Sequence, residues 1–168
     1  MSKRNLKKYL KELKKVQLED QIMDLYDRFK EVKAYYDFAF NPKEEKLLEE
    51  SKFKISKEYF PIGKRKPKLR RSVAQKIIKN CIILQVDPQV ISEIMIFNIE
   101  IAITYSEEKS IKQEAFYISM LKSFKEATEY IEAHHLLPEY EKRIIAIADK
   151  TRQLSWFNYR AFEKVIDR

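Results

Sequence analysis

Residues 88–108 read PQVISEIMIFNIEIAITYSEE, and this stretch decides the fold. Apolar residues occur on nearly every side of its helical projection, which is typical of a helix buried by neighbours all round. Asp87 and Pro88 supply an N-cap residue and a first-turn proline. The alternating isoleucines at 99–103 are also compatible with a buried strand, but the length and the absence of internal breakers favour a helix. We therefore predict a central helix over about 88–108.

Further helices are expected on both sides of this central one. Cap residues, prolines and amphipathic periodicity predict them over about 1–15, 16–40, 42–59, 70–85 and 111–135, then from Pro138 and from Ser155. One domain is the default for a chain of 168 residues. The sequence thus predicts a single all-α domain over 1–168, a multi-helix bundle or short helical array of roughly eight helices.

The predicted helix at 16–40 carries a heptad-like seam. Its apolar residues step by four and three positions: Leu18, Ile22, Leu25, Phe29, Val32 and Tyr36. Such a seam packs lengthwise on a neighbouring helix. Three heptads fall short of a free coiled coil, so we expect the packing to be intramolecular.

The composition excludes several classes of protein. The chain has one glycine, whereas phosphate-binding loops need several glycines for close backbone approach to the ligand. The single cysteine excludes a disulfide within the chain and fits a reducing cytoplasm. No apolar run approaches the length of a membrane span, and the basic, amphipathic start lacks the apolar core of a signal peptide. A cytoplasmic protein is expected.

Charge is distributed in blocks. Residues 51–80 hold eleven Lys or Arg and one Glu, whereas 81–141 are acidic. A basic loop is predicted over 60–71, since Gly63 and Pro67 oppose helix there. The candidate nucleic-acid or anion-binding residues are its cations: Lys64, Arg65, Lys66, Lys68, Arg70 and Arg71. The alternatives are a positive block that neutralises the acidic region, or a solvated turn.

The chemistry-bearing side chains form no complete catalytic or metal-binding set. Glu93 and Glu100 share one stripe of the central helix and could act as acid and base or bind a cation. They could equally form the solvated edge of the helix or pair with Arg or Lys from a neighbouring helix. Glu132 and His135 have the spacing of half a di-iron site, and a second half-site is missing. Cys81 lies in an apolar stretch typical of a buried thiol. We predict no catalytic residue, no metal and no cofactor.

Three stretches of the N-terminal half resemble a known family: SKRNLKKYLKEL (2–13), LYDRFKEVKAYYDFAFNPKEEKLLEESKFKISKEYFP (25–61) and GKRKPKLRRSVAQKIIKN (63–80). They are similar to a small family of bacterial, all-helical proteins of unknown function, most clearly over residues 1–80. The resemblance implies a free-standing bacterial cytoplasmic protein. It implies no activity, cofactor or functional residue.

These observations favour a non-catalytic helical binding module whose partner is a protein. The alternative is a nucleic-acid-binding protein that uses the basic segment 64–71, assisted by the N-terminal lysines. The basic amphipathic helix at 1–15 raises the question of membrane-surface contact. Because its apolar face is short and holds neither Trp nor Phe, we expect that face to dock on the domain.

Overall fold

A computed structural model describes residues 2–167 of the chain. These residues form nine α-helices and no strand: α1 (Lys3–Glu12), α2 (Lys15–Arg28), α3 (Lys30–Phe40), α4 (Glu44–Tyr59), α5 (Arg71–Ile83), α6 (Pro88–Glu108), α7 (Glu114–Ala133), α8 (Leu137–Gln153) and α9 (Tyr159–Ile166). The all-α multi-helix prediction is confirmed. None of the helices in the described part of the chain is both long enough and apolar enough to cross a bilayer.

Contacts divide the chain into two compact units, Met1–Lys43 and Glu44–Arg168. We call them the N-terminal unit and the C-terminal unit and describe each by itself. The sequence-based expectation of a single domain stays a prediction.

The C-terminal unit is built around α6, as the sequence predicts. This helix packs against α4, α5, α7 and α8, and its residues Ile94, Ile96 and Ile99 are completely buried. Full burial of one such side chain stabilises a fold by about 1.5–3 kcal/mol. At the N-terminus of α6, the Asp87 carboxylate accepts a hydrogen bond of 2.7 Å from the backbone N–H of Gln89. The helix of the expected bounds therefore forms, and the strand alternative is wrong.

The C-terminal helix α9 closes the unit. It packs on α7 and α8 and brings the buried ring of Phe162 to 5.1 Å from the ring of Phe124. Ser155, expected to open this helix, instead follows the end of α8, and Asn158 is the N-cap of α9.

Three helices of the C-terminal unit end in the same way. The residue after each C-cap has a positive φ, and the N–H of the residue after that donates to the carbonyl oxygen five residues back, at 3.0–3.1 Å. This is the Schellman motif, in which glycine is the usual left-handed residue. Here the left-handed residues are Gln85 after α5, His135 after α7 and Ser155 after α8, with φ of 56°, 59° and 53°.

The N-terminal unit contains a helical hairpin where the sequence predicts one long helix. Phe29 has extended backbone angles, φ −116° and ψ 115°, and separates α2 from α3. The chain folds back there, because the ring of Tyr26 lies 6.5 Å from that of Tyr36 and its hydroxyl donates to Asp37 at 2.7 Å. The expectation of a continuous helix over 16–40 is wrong, and its two halves, α2 and α3, pack on each other.

Candidate functional site

The basic loop, residues 60–70, connects α4 to α5 in the C-terminal unit. Two of its residues have left-handed backbone conformations, Gly63 with φ 76° and Leu69 with φ 53°. Glycine adopts such a conformation without steric cost, which accounts for the lone glycine at the first of these turns. The two ends of the loop lie close together, as in an Ω-loop.

Glu58, on the last turn of α4, holds the two ends of the loop together. Its backbone carbonyl accepts hydrogen bonds from the N–H groups of Lys68, at 3.0 Å, and Leu69, at 3.1 Å. Its carboxylate accepts from Nε and Nη2 of Arg70, at 2.8 and 2.7 Å. The Arg70 guanidinium lowers the pKa of Glu58, and the carboxylate in turn raises the pKa of Arg70. A bidentate ion pair of this kind fixes geometry as well as charge.

Arg71, the first residue of α5, makes its side-chain hydrogen bonds within the same unit, to residues of α7. Its Nε donates to Oγ of Ser123 at 2.8 Å, and its Nη2 donates to Oε2 of Glu126 at 2.7 Å. The side chain is 15% exposed. It therefore fastens the start of α5 to α7, and its guanidinium does not belong to the exposed face of the loop.

The four remaining predicted cations are exposed: Lys64, Arg65, Lys66 and Lys68. Within residues 2–167 none of the four side chains lies in an ion pair. The last three line a groove of about 390 Å³ together with Lys57, Glu58, Arg70 and the apolar Pro61 and Ile62. Sequence reasoning missed Lys57 and Glu58. The available signal was that Glu58 is the one acidic residue in the basic block 51–80.

A second groove, of about 690 Å³, lies in the N-terminal unit between α2 and α3. We call it the hairpin groove, and its lining residues are Ile22, Met23, Tyr26, Tyr36, Asp37, Phe40 and Asn41. The lining is mostly apolar, and Phe40 is 84% exposed. None of residues 2–43 is buried. The apolar side chains of this unit are therefore at least partly exposed.

The two carboxylates on α6 are occupied by cations. Arg143 of α8 donates to both oxygens of Glu100, at 2.8 and 2.7 Å, and also to Glu93. Lys52 of α4 donates to Glu93 at 2.6 Å. Partial burial raises the pKa of Glu93, but the hydrogen bonds from Arg143 and Lys52 outweigh it and lower the pKa overall. Carboxylates held in this way stabilise the packing of α6 and are poorly placed for proton transfer.

Cys81 and His134 are also engaged structurally, whereas Glu132 and His135 are exposed. Cys81 is fully buried, and burial raises the pKa of its thiol to about 11, which disfavours the nucleophilic thiolate. His134 stacks on Tyr130, and its Nδ1 lies 2.8 Å from the Tyr130 carbonyl oxygen. In the described part of the chain, no three His, Cys, Asp or Glu side chains are grouped to hold a metal ion.

The fold and these surfaces define an all-α multi-helix protein that carries a basic groove in its C-terminal unit and an apolar groove in its N-terminal unit. Over residues 1–168 the chain belongs to the Family of unknown function (DUF6155). This confirms the family of unknown function that the N-terminal stretches indicate. Searches of curated proteins and of solved structures find no match.

Proposed function

We propose that this chain is a non-catalytic binding module whose hairpin groove engages a protein partner. The observation that carries the proposal is an apolar groove in a unit that has no buried side chain among residues 2–43. Exposed apolar side chains grouped along one groove are typical of interaction sites. The pairing of Glu93 and Glu100 with cations and the burial of Cys81 support the non-catalytic part of the proposal.

The groove favours an amphipathic helix as its occupant. Met23 and the aromatic rings of Tyr36 and Phe40 are adaptable apolar contacts for side chains spaced by three and four residues. Asp37 is the one charged residue in the lining. Its carboxylate favours a partner helix with Lys or Arg beside the apolar face.

The chain's own α1 approaches a different side of α2. Its Tyr9 hydroxyl accepts a hydrogen bond of 2.8 Å from Gln21. At 100° per residue, Gln21 points roughly opposite to the α2 face formed by Ile22, Met23 and Tyr26. The contact with α1 therefore leaves the hairpin groove open to a partner.

Binding of fluorescein-labelled helical peptides, followed by anisotropy, tests the proposal. One peptide carries Leu at i, i+3, i+4 and i+7 with Lys on its other face, and a second has every Lys replaced by Glu. We expect the basic peptide to bind and the acidic peptide to bind much more weakly. Because Phe40 is largely exposed in the free protein, its burial contributes about 2 kcal/mol, so Phe40→Ala weakens binding about 30-fold.

A matched control replaces exposed apolar residues of the C-terminal unit. Ile118 and Ile145 are 57% and 42% exposed and lie outside the hairpin groove, so Ile118→Ala/Ile145→Ala leaves peptide affinity unchanged. Equal binding of both peptides, or an unchanged affinity in Phe40→Ala, refutes the assignment of the groove.

The proposal includes a bacterial cytoplasmic setting. The resemblance of the N-terminal half favours it, and a single, buried and unpaired cysteine is compatible with a reducing compartment. Fractionation of a bacterial host that expresses its own copy tests this, and recovery in the membrane or periplasmic fraction contradicts it.

A further inference from the structure

Beyond the proposed protein partner, we infer that the basic loop is a separate binding surface for single-stranded nucleic acid. Its phosphate-contacting residues are Lys57, Arg65, Lys66 and Lys68. Arg70 and Arg71, which belong to the same basic run, are positioning residues. The first four line one groove. Arg70 also lines it, but its guanidinium is paired with Glu58, and Arg71 is paired with Glu126.

The charge of the groove favours a polyanion. The one carboxylate in its lining belongs to Glu58, and Arg70 neutralises it through a bidentate pair. Four cationic side chains then remain over a groove of about 390 Å³. Cations on the wall of a concave surface focus a positive field and attract phosphate groups.

The loop is arranged for binding before the ligand arrives. The Glu58 carbonyl and carboxylate fix Lys68, Leu69 and Arg70, and Phe60 donates to the Ser56 carbonyl at 2.7 Å. The ring of Phe60 also packs edge-on against Tyr105 of α6, with 5.7 Å between ring centroids. The two ends of the loop are therefore held in place before binding, which reduces the entropy lost on association.

The exposure of the cations favours a strand over a small anion. A tight site for one phosphate needs buried donors, and the side chains of Arg65, Lys66 and Lys68 are all exposed. Because exposed cations bind a single phosphate weakly, useful affinity requires several phosphates that are linked in one chain, as in a nucleic-acid backbone.

Apolar surface beside the cations favours a single strand over a duplex. Ile62, in the groove lining, is 68% exposed. Phe53 is 53% exposed, and the Lys57 ammonium lies 3.9 Å from the centre of its ring. Unstacked bases can pack on such surfaces next to phosphate-binding cations, whereas the bases of a duplex are stacked inside. An irregular loop also lacks the helix or two-stranded ribbon that reads a major groove.

The test is a salt titration of the full chain with fluorescein-labelled RNA and DNA strands of ~15 nucleotides, a length within the usual site size. Four phosphate contacts on a single strand predict a slope of log K against log salt of about −2.8, so affinity falls about 50-fold between ~50 and ~200 mM salt. Arg65→Ala/Lys66→Ala removes two contacts and brings the slope to about −1.4. Both side chains are exposed, so this variant is expected to fold.

Two further variants test whether Arg71 contacts phosphate or only positions α5, and whether binding depends on the groove or on the overall net charge. Because Arg71 only positions α5, Arg71→Gln is expected to leave the slope unchanged. Loss of a phosphate contact would instead reduce the magnitude of the slope by about 0.7. Lys142→Ala/Lys164→Ala removes two exposed charges on α8 and α9, outside the groove, and leaves both slope and affinity unchanged.

Several results would overturn the inference. These are equal affinity for the matching duplex, a slope that persists in Arg65→Ala/Lys66→Ala, a reduced slope in Arg71→Gln, or binding to phosphatidylglycerol vesicles without binding to either strand. Phe40→Ala, which tests the hairpin groove, is expected to leave strand binding intact. Failure of one proposal is thus distinguishable from failure of the other.

Discussion

Replacing the three left-handed residues at helix C-termini by glycine should make the C-terminal unit more stable. Gln85, His135 and Ser155 have φ of 53–59°, a region in which a Cβ atom lies too close to the backbone. All three are exposed, so truncation removes no buried surface. Glycine adopts the same conformation without that clash and keeps the N–H that each position uses in its cap.

The expected gain follows from two opposing effects. A left-handed non-glycine residue costs about 1–2 kcal/mol, and glycine returns about 0.5–1 kcal/mol of that through the greater entropy of the unfolded chain. Each substitution should therefore add about 0.5–1 kcal/mol to the free energy of unfolding. The sites lie at the ends of three different helices, so the gains should nearly add, to about 1.5–3 kcal/mol for Gln85→Gly/His135→Gly/Ser155→Gly.

Urea unfolding followed by circular dichroism measures the effect as a shift of the midpoint at unchanged m-value. Lys142→Gly, at an exposed position inside α8 with ordinary helical angles, is the control and should lose about 1 kcal/mol. If the triple variant unfolds at the same or a lower urea concentration than the unmodified chain, the strain argument is refuted.

Four other predictions concern the core and the ion pairs. Arg143→Met, which leaves two carboxylates without their shared cation, should lower the free energy of unfolding by about 2–4 kcal/mol in urea titrations; no change would show that the pairs are not stabilising. Ile99→Ala should cost about 3–4 kcal/mol in the same assay, because the side chain is completely buried. Cys81 should react with a thiol reagent only as fast as the protein unfolds, and rapid modification in native buffer would contradict its burial. The folded-state pKa of Glu58 is lowered, so its pair with Arg70 stabilises the fold at pH values above the ordinary carboxyl pKa of 4.5. That stabilisation is lost as the pH falls through the folded-state pKa. The destabilisation caused by Glu58→Gln, measured by urea unfolding, should therefore be smaller in acid.

The central helix could be predicted because its information is local. Residues 88–108 combine an N-cap, a proline and apolar residues on every side, and the structure has the same bounds. The break at Phe29 carries no such signal, since no glycine or proline lies beside it. Contact between Tyr26 and Asp37, on opposite sides of the break, stabilises the hairpin, and pairing of that kind is invisible to helical periodicity.

The sequence predicts where the basic loop lies, but it does not predict the role of each cation in it. Six cations between 64 and 71 read alike in sequence, yet the role of Arg71 depends on Ser123 and Glu126, more than fifty positions away. Lys57 precedes the basic run and reaches the groove from the last turn of α4, so the run by itself does not point to it. Serine is a common N-cap residue, but the positive φ of Ser155 places it at the C-terminal end of α8.

Because Glu58 holds the two ends of the basic loop together, the packing of α4 and α5 does not require an unbroken chain through the tip of the loop. The helices on either side, α4 and α5, each pack on α6 and on one another. A protease that cuts after Lys64 or Arg65 would therefore produce two fragments that stay associated under native conditions and separate only in denaturant. The same property makes the tip of this loop a suitable place to divide the protein into complementing halves or to insert a reporter sequence.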